Sequence, residues 1–459
     1  MERNNSNDVP LTLRTVYAEL LDRAGSAAFQ EAFTEKGNFT AKTINGRTYW
    51  YFQAQTDDGR KQRYVGPETP ELLDQIKRHR EARDDVNHRA KLVSTLVRSA
   101  NLLRPQPEIG TVLATLAKAG IFRLRAVLIG TAAYQTYSSM LGVKLPVSLI
   151  QTGDIDIAQS REISIAVGEN TPPMLELLRD ADASFREIPH VQDSRRVATY
   201  ETQRSGIRVD FLTPNRGADS EAPQELPALS TDAQPLRFLD YLIREPEPAV
   251  VLHGAGVYVL VPAPERYAIH KLIVSRRRRE GNVKRDKDIL QAEALFFFLI
   301  ERRPFELKAA WAEAWERGKK WRQLIGEGLA FVAPATRDRL LKTVEMTRSI
   351  IPGLEMQFAS SARYDFERDV VSFTATANNV LVRCAVSREA LNDHFEADGL
   401  DKDGRLRIFR ENRSLFEKMA RVKYMEWPID VIYEGGQVLI RTEEVPQLLK
   451  TALGRKGKN

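Results

Sequence analysis

The sequence predicts an α+β protein: a mixed sheet with flanking helices, followed by a helical segment and a small α+β C-terminal domain. Three observations support this class. Runs of strand length alternate with stretches of helical periodicity across residues 119–215. Helical periodicity then continues to about residue 348. Two hairpin signals, the turns in "TANNV" and "YEGGQ", lie in the last hundred residues.

Composition indicates a globular chain of several folding units. The 459 residues are 42% hydrophobic and 28% charged, and this length suits two to four domains. No apolar stretch approaches the roughly 20 residues of a membrane helix, and the start lacks the apolar core of a signal peptide. We therefore expect a cytoplasmic protein with no membrane partner. The single cysteine, Cys384, excludes an internal disulfide and a cysteine-cluster zinc site, and we expect it to be buried.

The positive charge leaves the type of partner open. The formal net charge is +6 and the pI about 9.2, and the excess lies in runs such as "SRRRREGNVKRDKD" and "GRKGKN". A basic surface permits a polyanionic partner without requiring one. Such runs are equally typical of solvated faces.

The predicted elements follow in chain order. "NGRTYWYFQAQTDDGRKQRYVGP" alternates aromatic and polar residues around Asp-Gly, which predicts a hairpin. Two helices are expected from "TPELLDQ" to "SANLL". "LRAVLIGTAAY" predicts a strand, a Gly-Thr turn and a helix. A helix in "TPPMLELLRDAD" and a short strand pair around "SFREIPH" and "RVATYETQRSG" come next. "NRGADSEAPQELPALSTDAQP" indicates a loop, and "VVLHGAGVYVLVPAPERYAIHK" a strand pair before a helix that begins with proline.

Two carboxylates lie in the apolar run "TGDIDIA". Residues two apart on a strand face the same way, so Asp154 and Asp156 project together while Ile155 and Ile157 face the opposite side. Two like charges this close repel, and a divalent cation removes the conflict. Mg²⁺ is commonly held by one or two carboxylates plus substrate phosphates. Taken alone, an Asp-x-Asp pattern is more often a capped turn or a solvated strand end.

A third acid and a turn extend the pattern. In "IRVDFLTP", Asp210 alternates with buried-type residues on another predicted strand, and a third carboxylate would complete a two-metal site. Gly130 and Thr131 fall between a strand and a helix, where free N–H groups and the helix dipole attract phosphate. Glycine also ends strands for backbone reasons alone. The order of these elements favours a metal site.

This order resembles the nucleotidyltransferase superfamily that includes DNA polymerase beta, kanamycin nucleotidyltransferase and the minimal nucleotidyltransferases of toxin–antitoxin systems. Over roughly residues 40–300, "YWYFQ", "YVGP", "LIGTAAYQTY", "GDIDIA", "VDFLTP" and "VPAPERYAIHKLIVSRRR" are similar to a bacterial family described only as nucleotidyltransferase-fold proteins. The resemblance implies a polymerase beta-like mixed sheet. The final domain resembles a small bacterial family of unknown function, which implies no chemistry and leaves a protein-partner or nucleic-acid role open.

The resemblance also assigns roles. Gly130 and Thr131 correspond to the phosphate-contacting Gly-Ser, with Thr in place of the usual Ser. Asp154 and Asp156 correspond to the metal-binding pair, and Asp210 to the third metal-binding acid, which activates the acceptor hydroxyl. Asp154 lies 23 positions after Thr131, which exceeds the spacing in many members. We therefore expect an insertion around "SSMLGVKLPVSLIQT" to be looped or helical.

Lys271 is the candidate for contact with the triphosphate. It shares a helical face with Tyr267 and Ser275, and relatives often carry a basic residue on a helix after the catalytic sheet. An ordinary surface lysine is the alternative. "KDILQAEAL" resembles a Lys-Asp pair of minimal relatives, and at Lys287 and Asp288 structural pairing is as plausible as substrate contact.

Together these features predict a metal-dependent nucleotidyltransferase that moves NMP from an NTP, with ATP among the candidates, to a hydroxyl and releases pyrophosphate. Two Mg²⁺ ions are expected, and Mn²⁺ would also serve. The first choice of acceptor is tRNA or another RNA, and proteins and small molecules stay open, as does a role in a toxin–antitoxin system. The alternative is a catalytically silent nucleotide- or nucleic-acid-binding module.

The predicted segments divide the chain into five parts. They are an N-terminal hairpin with helices (1–118), the catalytic core (119–215), a linker (216–232), a strand pair with a helical domain completing the nucleotide site (233–348), and the small C-terminal domain (349–459).

Overall fold

The chain divides into two compact units, residues 1–270 and residues 271–459. The computed structural model describes residues 7–32, 37–44, 47–56, 59–78, 86–149, 153–191, 193–217, 220–377, 380–427 and 437–453. Among these residues, no helix has the combination of length and apolar character that crossing a bilayer requires.

Helices and strands alternate along most of the described chain. The helices are α1 (Leu11–Ala32), α2 (Pro70–Arg78), α3 (Val86–Ser99), α4 (Pro107–Lys118), α5 (Gly130–Leu141), α6 (Arg161–Ala166), α7 (Met174–Ala181), α8 (Leu239–Leu242), α9 (Pro264–Arg277), α10 (Val283–Arg302), α11 (Pro304–Glu316), α12 (Lys319–Leu329), α13 (Pro334–Thr343), α14 (Arg388–Phe395), α15 (Lys402–Glu411), α16 (Arg413–Glu426) and α17 (Val445–Leu453). The strands are β1 (Gly37–Ile44), β2 (Arg47–Thr56), β3 (Gly59–Pro67), β4 (Val127–Ile129), β5 (Asp154–Ala158), β6 (Phe185–Ile188), β7 (Thr199–Thr202), β8 (Arg208–Pro214), β9 (Gln224–Leu226), β10 (Thr231–Leu236), β11 (Glu247–Val251), β12 (Val257–Val261), β13 (Met356–Asp365), β14 (Val370–Ala377), β15 (Val380–Ser387) and β16 (Val438–Ile440).

A mixed sheet lies at the centre of the first unit. Its main path, within the described residues, is β4-β5-β8-β10-β9, and β7 joins β8 to β6. β5 and β8 run parallel, whereas β4 is antiparallel to β5. α5 follows β4 directly and packs against both β4 and β5. The predicted α+β class is confirmed, as are the strand–turn–helix at Gly130 and the short β6–β7 pair.

Residues 216–232 do not form the linker that their composition predicts. β9 lies in this segment and β10 begins in it, and β10 pairs in parallel with β8 and antiparallel with β9. Leu226, Ala228 and Leu229 are fully buried. A strand of three residues is too short to show an alternating pattern, so its apolar contribution was hidden among proline, serine and acidic residues.

The first unit also contains a separate antiparallel sheet, β1-β2-β3. The predicted hairpin is confirmed by the pairing of β2 with β3, whose register ends at Thr56 and Gly59, and the Asp-Asp of its turn lies outside the described residues. The two predicted helices are α2 and α3. The sequence did not predict α1 or β1. α1 packs against α3, β11 and β12.

The second unit combines the helices α10 to α13 with a sheet of β13 to β16 and the helices α14 to α17. β14 and β15 form the predicted hairpin, although its two asparagines lie outside the described residues. The glycines of the second predicted hairpin also lie outside them, and β16, which follows, pairs in parallel with β15. Cys384 is buried as expected, and burial raises the pKa of its thiol to about 12.

A buried arginine connects the helical and C-terminal parts of this second unit. Arg348 has no solvent exposure. Its Nη2 lies 2.5 Å from Oδ2 of Asp338, its Nη1 donates to the Tyr424 carbonyl at 3.2 Å, and its guanidinium lies 4.3 Å from the centroid of the Tyr424 ring. Because Asp338 is on α13 and Tyr424 on α16, this one side chain binds elements from both sides of the predicted boundary at residue 349.

Replacing Arg348 with alanine is expected to destabilise the second unit. The substitution removes the arginine that hydrogen-bonds both oxygens of Asp338, while Arg337 stays 3.7 Å from Oδ1. Breaking a buried pair from one side costs about 3 kcal/mol. Urea unfolding measures the loss. The control is Arg339→Ala, which removes an exposed pair with Glu301 and should cost less than about 1 kcal/mol. Equal losses for the two variants would contradict the role given to Arg348.

Candidate active site

The turn at Gly130 brings α5 to the edge of the central sheet. β4 ends at Ile129, and α5 begins at Gly130 with a φ of +66°. That left-handed backbone conformation favours glycine. Thr131 follows in the first turn of α5 and is partly exposed. The amide groups of this turn therefore lie at the N-terminus of a 12-residue helix, where the helix dipole attracts anions.

The alternation predicted for β5 is present. Asp154 and Asp156 are partly exposed on one face, while Ile155 and Ile157 are fully buried on the other. The two carboxylates therefore face out of the sheet together, as the period of two requires.

The strand register places Asp210 beside Asp156. In the parallel β5–β8 pair, Asp156 is opposite Asp210 and Asp154 is opposite Arg208. Neighbouring strands lie about 4.8 Å apart, so paired residues with the same facing bring their side chains together. On the other side, Asp156 is opposite Ile129, the residue before Gly130. The register therefore aligns the Gly130 turn, Asp156 and Asp210 across three strands.

Two residues near Asp210 were not predicted as parts of the site. Arg208 donates through Nε to both carboxylate oxygens of Asp210, at 3.0 and 2.8 Å. Thr199 is opposite Asp210 in β7, and its hydroxyl donates to Oδ1 at 2.6 Å. The alternation in "IRVDF" places Arg208 on the same face as Asp210, and this pattern could have identified Arg208 as part of the site. Thr199 was not detectable, because its position depends on the register of β7 with β8.

Residue 130 must be glycine because it lies so close to Asp156, as well as because its φ is positive. A Cβ placed on residue 130 would overlap with Oδ2 of Asp156 and lie 3.1 Å from its Cγ. Any other residue at this position would displace the Asp156 carboxylate. Glycine thus allows a carboxylate and a helix N-terminus to lie in direct contact.

A cluster of three tyrosines packs beside the Gly130 turn and holds it through one hydrogen bond. The Tyr267 hydroxyl donates to the Gly130 carbonyl at 2.9 Å, and the side chain is buried. Its ring packs against Tyr137 and Tyr134, with centroids 5.1 and 6.1 Å away. Since the Gly130 carbonyl is held by Tyr267, the orientation of the peptide that enters α5 is fixed.

The donor set fits a magnesium ion held partly by substrate. In the portion of the chain that the structure describes, no three acidic, histidine or cysteine side chains form a ready-made metal cage. Both oxygens of Asp210 receive hydrogen bonds from Arg208. Asp154 and Asp156 supply two carboxylates on one face, and Mg²⁺ commonly takes one or two carboxylates plus phosphate oxygens and water.

Lys271 lies in the second unit, where it pairs with an acid. Its Nζ is 2.5 Å from Oδ1 of Asp288, and Nε of Arg278 is 2.5 Å from Oδ2. Lys271 and Asp288 are both buried. Burial opposes ionisation of Asp288, but the two cations outweigh it, so the pKa of Asp288 lies below its usual value. This arrangement matches the structural pairing considered for Asp288, and contact of Lys271 with a triphosphate stays a prediction.

Comparison with known families matches three segments of the chain. Residues 107–316 match a family model described as Nucleotidyltransferase. Residues 356–433 match one described as Protein of unknown function (DUF1488), and residues 12–75 match one described as Domain of unknown function (DUF6788). A search of curated proteins and a search of solved structures gave no match.

The chain therefore contains a nucleotidyltransferase domain and a C-terminal domain of a family without known function, as predicted. The extent of the first resemblance differs from the prediction. "YWYFQ" and "YVGP" lie within the match at residues 12–75 and outside the nucleotidyltransferase match, which begins at residue 107.

Replacing Asp288 with asparagine should destabilise the protein in a pH-dependent way. At pH 7 the variant removes the carboxylate that pairs with Lys271 and Arg278, at a cost of about 3 kcal/mol. Because the folded pKa is lowered, the contribution of Asp288 is present above its unfolded pKa of about 4 and is lost as the pH falls through the folded value.

Urea unfolding at pH 7 and at pH 3 measures the difference in free energy of unfolding between the parent and Asp288→Asn. This difference should be smaller at pH 3. Asp286→Asn, an exposed acid on the same helix, is the control and should cost less than about 1 kcal/mol at both pH values. A pH-independent effect of Asp288→Asn would contradict the ionic role.

Proposed function

We propose that this protein transfers NMP from an NTP to a hydroxyl acceptor and releases pyrophosphate. The observation that carries the proposal is the alignment of Gly130, Asp156 and Asp210 across β4, β5 and β8. A phosphate-binding turn and two acids would then act on the same reacting group. The nucleotidyltransferase match at residues 107–316 supports this class of reaction.

The NTP would bind with its phosphates at the start of α5. The amides of Gly130 and Thr131 belong to the first turn of that helix, and such N–H groups bind phosphate oxygens. The Thr131 hydroxyl adds one donor. Tyr267, by holding the Gly130 carbonyl, keeps the amides of this turn in one orientation. Lys271 is a further proposed contact with the triphosphate, and this role would require it to leave Asp288.

Asp154 and Asp156 would hold Mg²⁺, or Mn²⁺ in its place, together with phosphate oxygens of the NTP. When bound, the ion neutralises charge that develops on the phosphates. A second ion would require Asp210 as an additional ligand. The two half-exposed carboxylates of β5 also orient the triphosphate, because they repel any phosphate oxygen that is not shielded by a cation.

Asp210 would act on the acceptor. Its carboxylate accepts the proton of the acceptor hydroxyl, and the hydroxyl oxygen forms a bond to the α-phosphorus. The bond from that phosphorus to the bridging oxygen breaks, and pyrophosphate leaves with the electron pair. Arg208 donates two hydrogen bonds to the Asp210 carboxylate, and the Thr199 hydroxyl donates a third; together they hold the carboxylate in one orientation. Placing these groups in one geometry supplies much of the rate enhancement.

RNA, and tRNA in particular, is the acceptor that we propose first, since the chain is basic and nucleic acid is a polyanion. A protein or a small-molecule hydroxyl is the alternative. The Arg208–Asp210 ion pair favours a second candidate function, a module that binds nucleotide without transfer, because both oxygens of the proposed base are already hydrogen-bonded to a cation.

Asp154→Asn and Asp156→Asn are each expected to lower transfer of label from an α-labelled NTP by at least about a hundredfold, the scale on which loss of an electrostatic group acts. Both should also remove Mg²⁺-dependent thermal stabilisation by the NTP. Asp180→Asn, an exposed acid of α7, is the matched control. Full transfer by both variants would discard the reaction, and metal-independent stabilisation without transfer by the parent would favour the binding module.

Gly130→Ala tests the contact between the turn and Asp156. The added Cβ would displace the Asp156 carboxylate, so transfer should fall by at least about tenfold, as misplacement of a catalytic group predicts. Gly168→Ala is the control, since Gly168 has a φ of +64° and no atom lies within 4 Å of an added Cβ. Both variants share the backbone strain of about 1–2 kcal/mol. An equal loss of transfer activity in the two variants would show that backbone strain, and not displacement of the Asp156 carboxylate, causes the loss.

A further inference from the structure

One face of the β1-β2-β3 sheet carries three tyrosines. Tyr49 and Tyr51 are two residues apart on β2 and so face the same way. Tyr64 of β3 is directly opposite Tyr51 in the register, and Lys42 of β1 is opposite Tyr49. The tyrosines are partly exposed and Lys42 is exposed. We call Tyr49, Tyr51, Tyr64 and Lys42 the tyrosine face.

The rings of the tyrosine face form a continuous surface. The centroid of Tyr64 lies 5.8 Å from that of Tyr51 and 6.5 Å from that of Tyr49. The ammonium of Lys42 lies 5.0 Å from the centroid of Tyr51 and donates to Gln62 at 2.8 Å. This combination places a cation and hydrogen-bonding amides beside flat aromatic groups.

The opposite face of the same sheet contains its hydrophobic core. Phe52 is 1% exposed and packs with Phe29 of α1, Phe39 and Val65. The rings of Phe29 and Phe39 are stacked with centroids 5.3 Å apart. Since the core is formed on that face, the three tyrosines are not needed to complete it, and aromatic side chains on the other face require a different explanation.

The charge around the tyrosine face favours a polyanion. Residues 37–67 contain five lysine and arginine residues and two aspartates. Lys42 lies on the tyrosine face, whereas Arg63 lies over the ring of Phe52 on the opposite face. Arg123, just before β4, donates to the Tyr64 carbonyl at 2.9 Å and so connects β3 to the nucleotidyltransferase domain. Burial raises the pKa of the Tyr64 phenol, and the nearby charge of Arg125 opposes that rise. Aromatic rings that stack on bases, beside cations that contact phosphates, are the recurring features of single-stranded nucleic-acid sites.

We propose that the tyrosine face binds single-stranded nucleic acid, with bases stacked on Tyr49, Tyr51 and Tyr64 and a phosphate near Lys42. The assignment rests on this surface alone and does not depend on nucleotidyl transfer. If transfer also occurs, the bound strand is the first candidate for its acceptor.

The test measures binding of 5′-labelled 12-nucleotide RNA and DNA single strands, and of the RNA duplex, to the full chain by fluorescence anisotropy. Both single strands should bind more tightly than the duplex, and the tighter one identifies the natural polymer. The double variant Tyr49→Val/Tyr51→Val should lose at least about tenfold in affinity, since stacking on one ring is worth about that factor. Valine is used because it retains strand propensity. Tyr49→Phe/Tyr51→Phe keeps the rings and should bind nearly as the parent does.

Phe305→Val, an exposed aromatic of the second unit, is the control and should not change the affinity. Lys42→Gln tests the electrostatic contribution to nucleic-acid binding, because this variant keeps all three tyrosine rings. The slope of log affinity against log salt concentration should become shallower by about one. Asp154→Asn should bind RNA as the parent does, so failure of transfer and failure of this proposal give different results. The proposal is overturned if duplex binds as tightly as single strands, if the valine variant retains its affinity, or if Lys42→Gln leaves the salt slope unchanged.

Discussion

The in-register pairing of β5 with β8 is the constraint on which the candidate site depends. Asp156 is opposite Asp210 only because the two strands run parallel with this register. Side chains alternate between faces, so a slip of one residue would turn one acid into the core and bring a buried residue out. The fully buried Ile155, Ile157 and Val209 oppose that slip, since it would expose their side chains to water. The hydrophobic core thus fixes the position of the polar site.

The same register places three carboxylates close together, and an arginine offsets part of their negative charge. Three carboxylates on adjacent strand positions repel one another. Arg208 is opposite Asp154 and hydrogen-bonds Asp210, so one cation lies among the three acids. Its side chain is half exposed. The Gly130 turn adds the partial positive charge of a helix N-terminus against Asp156. The site thus balances three acids with one arginine and a helix end.

The sequence predicted the features that follow from the periodicity of a single segment. It missed the features that depend on how one strand or helix pairs with another. The common face of Asp154 and Asp156, the turn at Gly130 and the β2–β3 hairpin follow from spacing along one segment. The contact of Thr199 with Asp210 depends on how β7 aligns with β8, which no single segment specifies. The sequence missed β9 because it has only three residues, and it missed β10 because the buried positions of that strand are threonine, alanine and proline, which give a weak apolar pattern. Lys271 was read from its helical face, but its partner Asp288 comes from another helix.

The central claim is that Asp154 and Asp156, beside the Gly130 turn, form a site for a divalent cation together with a nucleoside triphosphate. Crystals grown with Mn²⁺ and a non-hydrolysable NTP analogue, measured at the manganese absorption edge, test it most directly. The account predicts an anomalous peak about 2.1 Å from oxygens of Asp154 and Asp156, with the phosphates of the analogue at the start of α5. A bound analogue without that peak, or a peak remote from β5, would contradict the account.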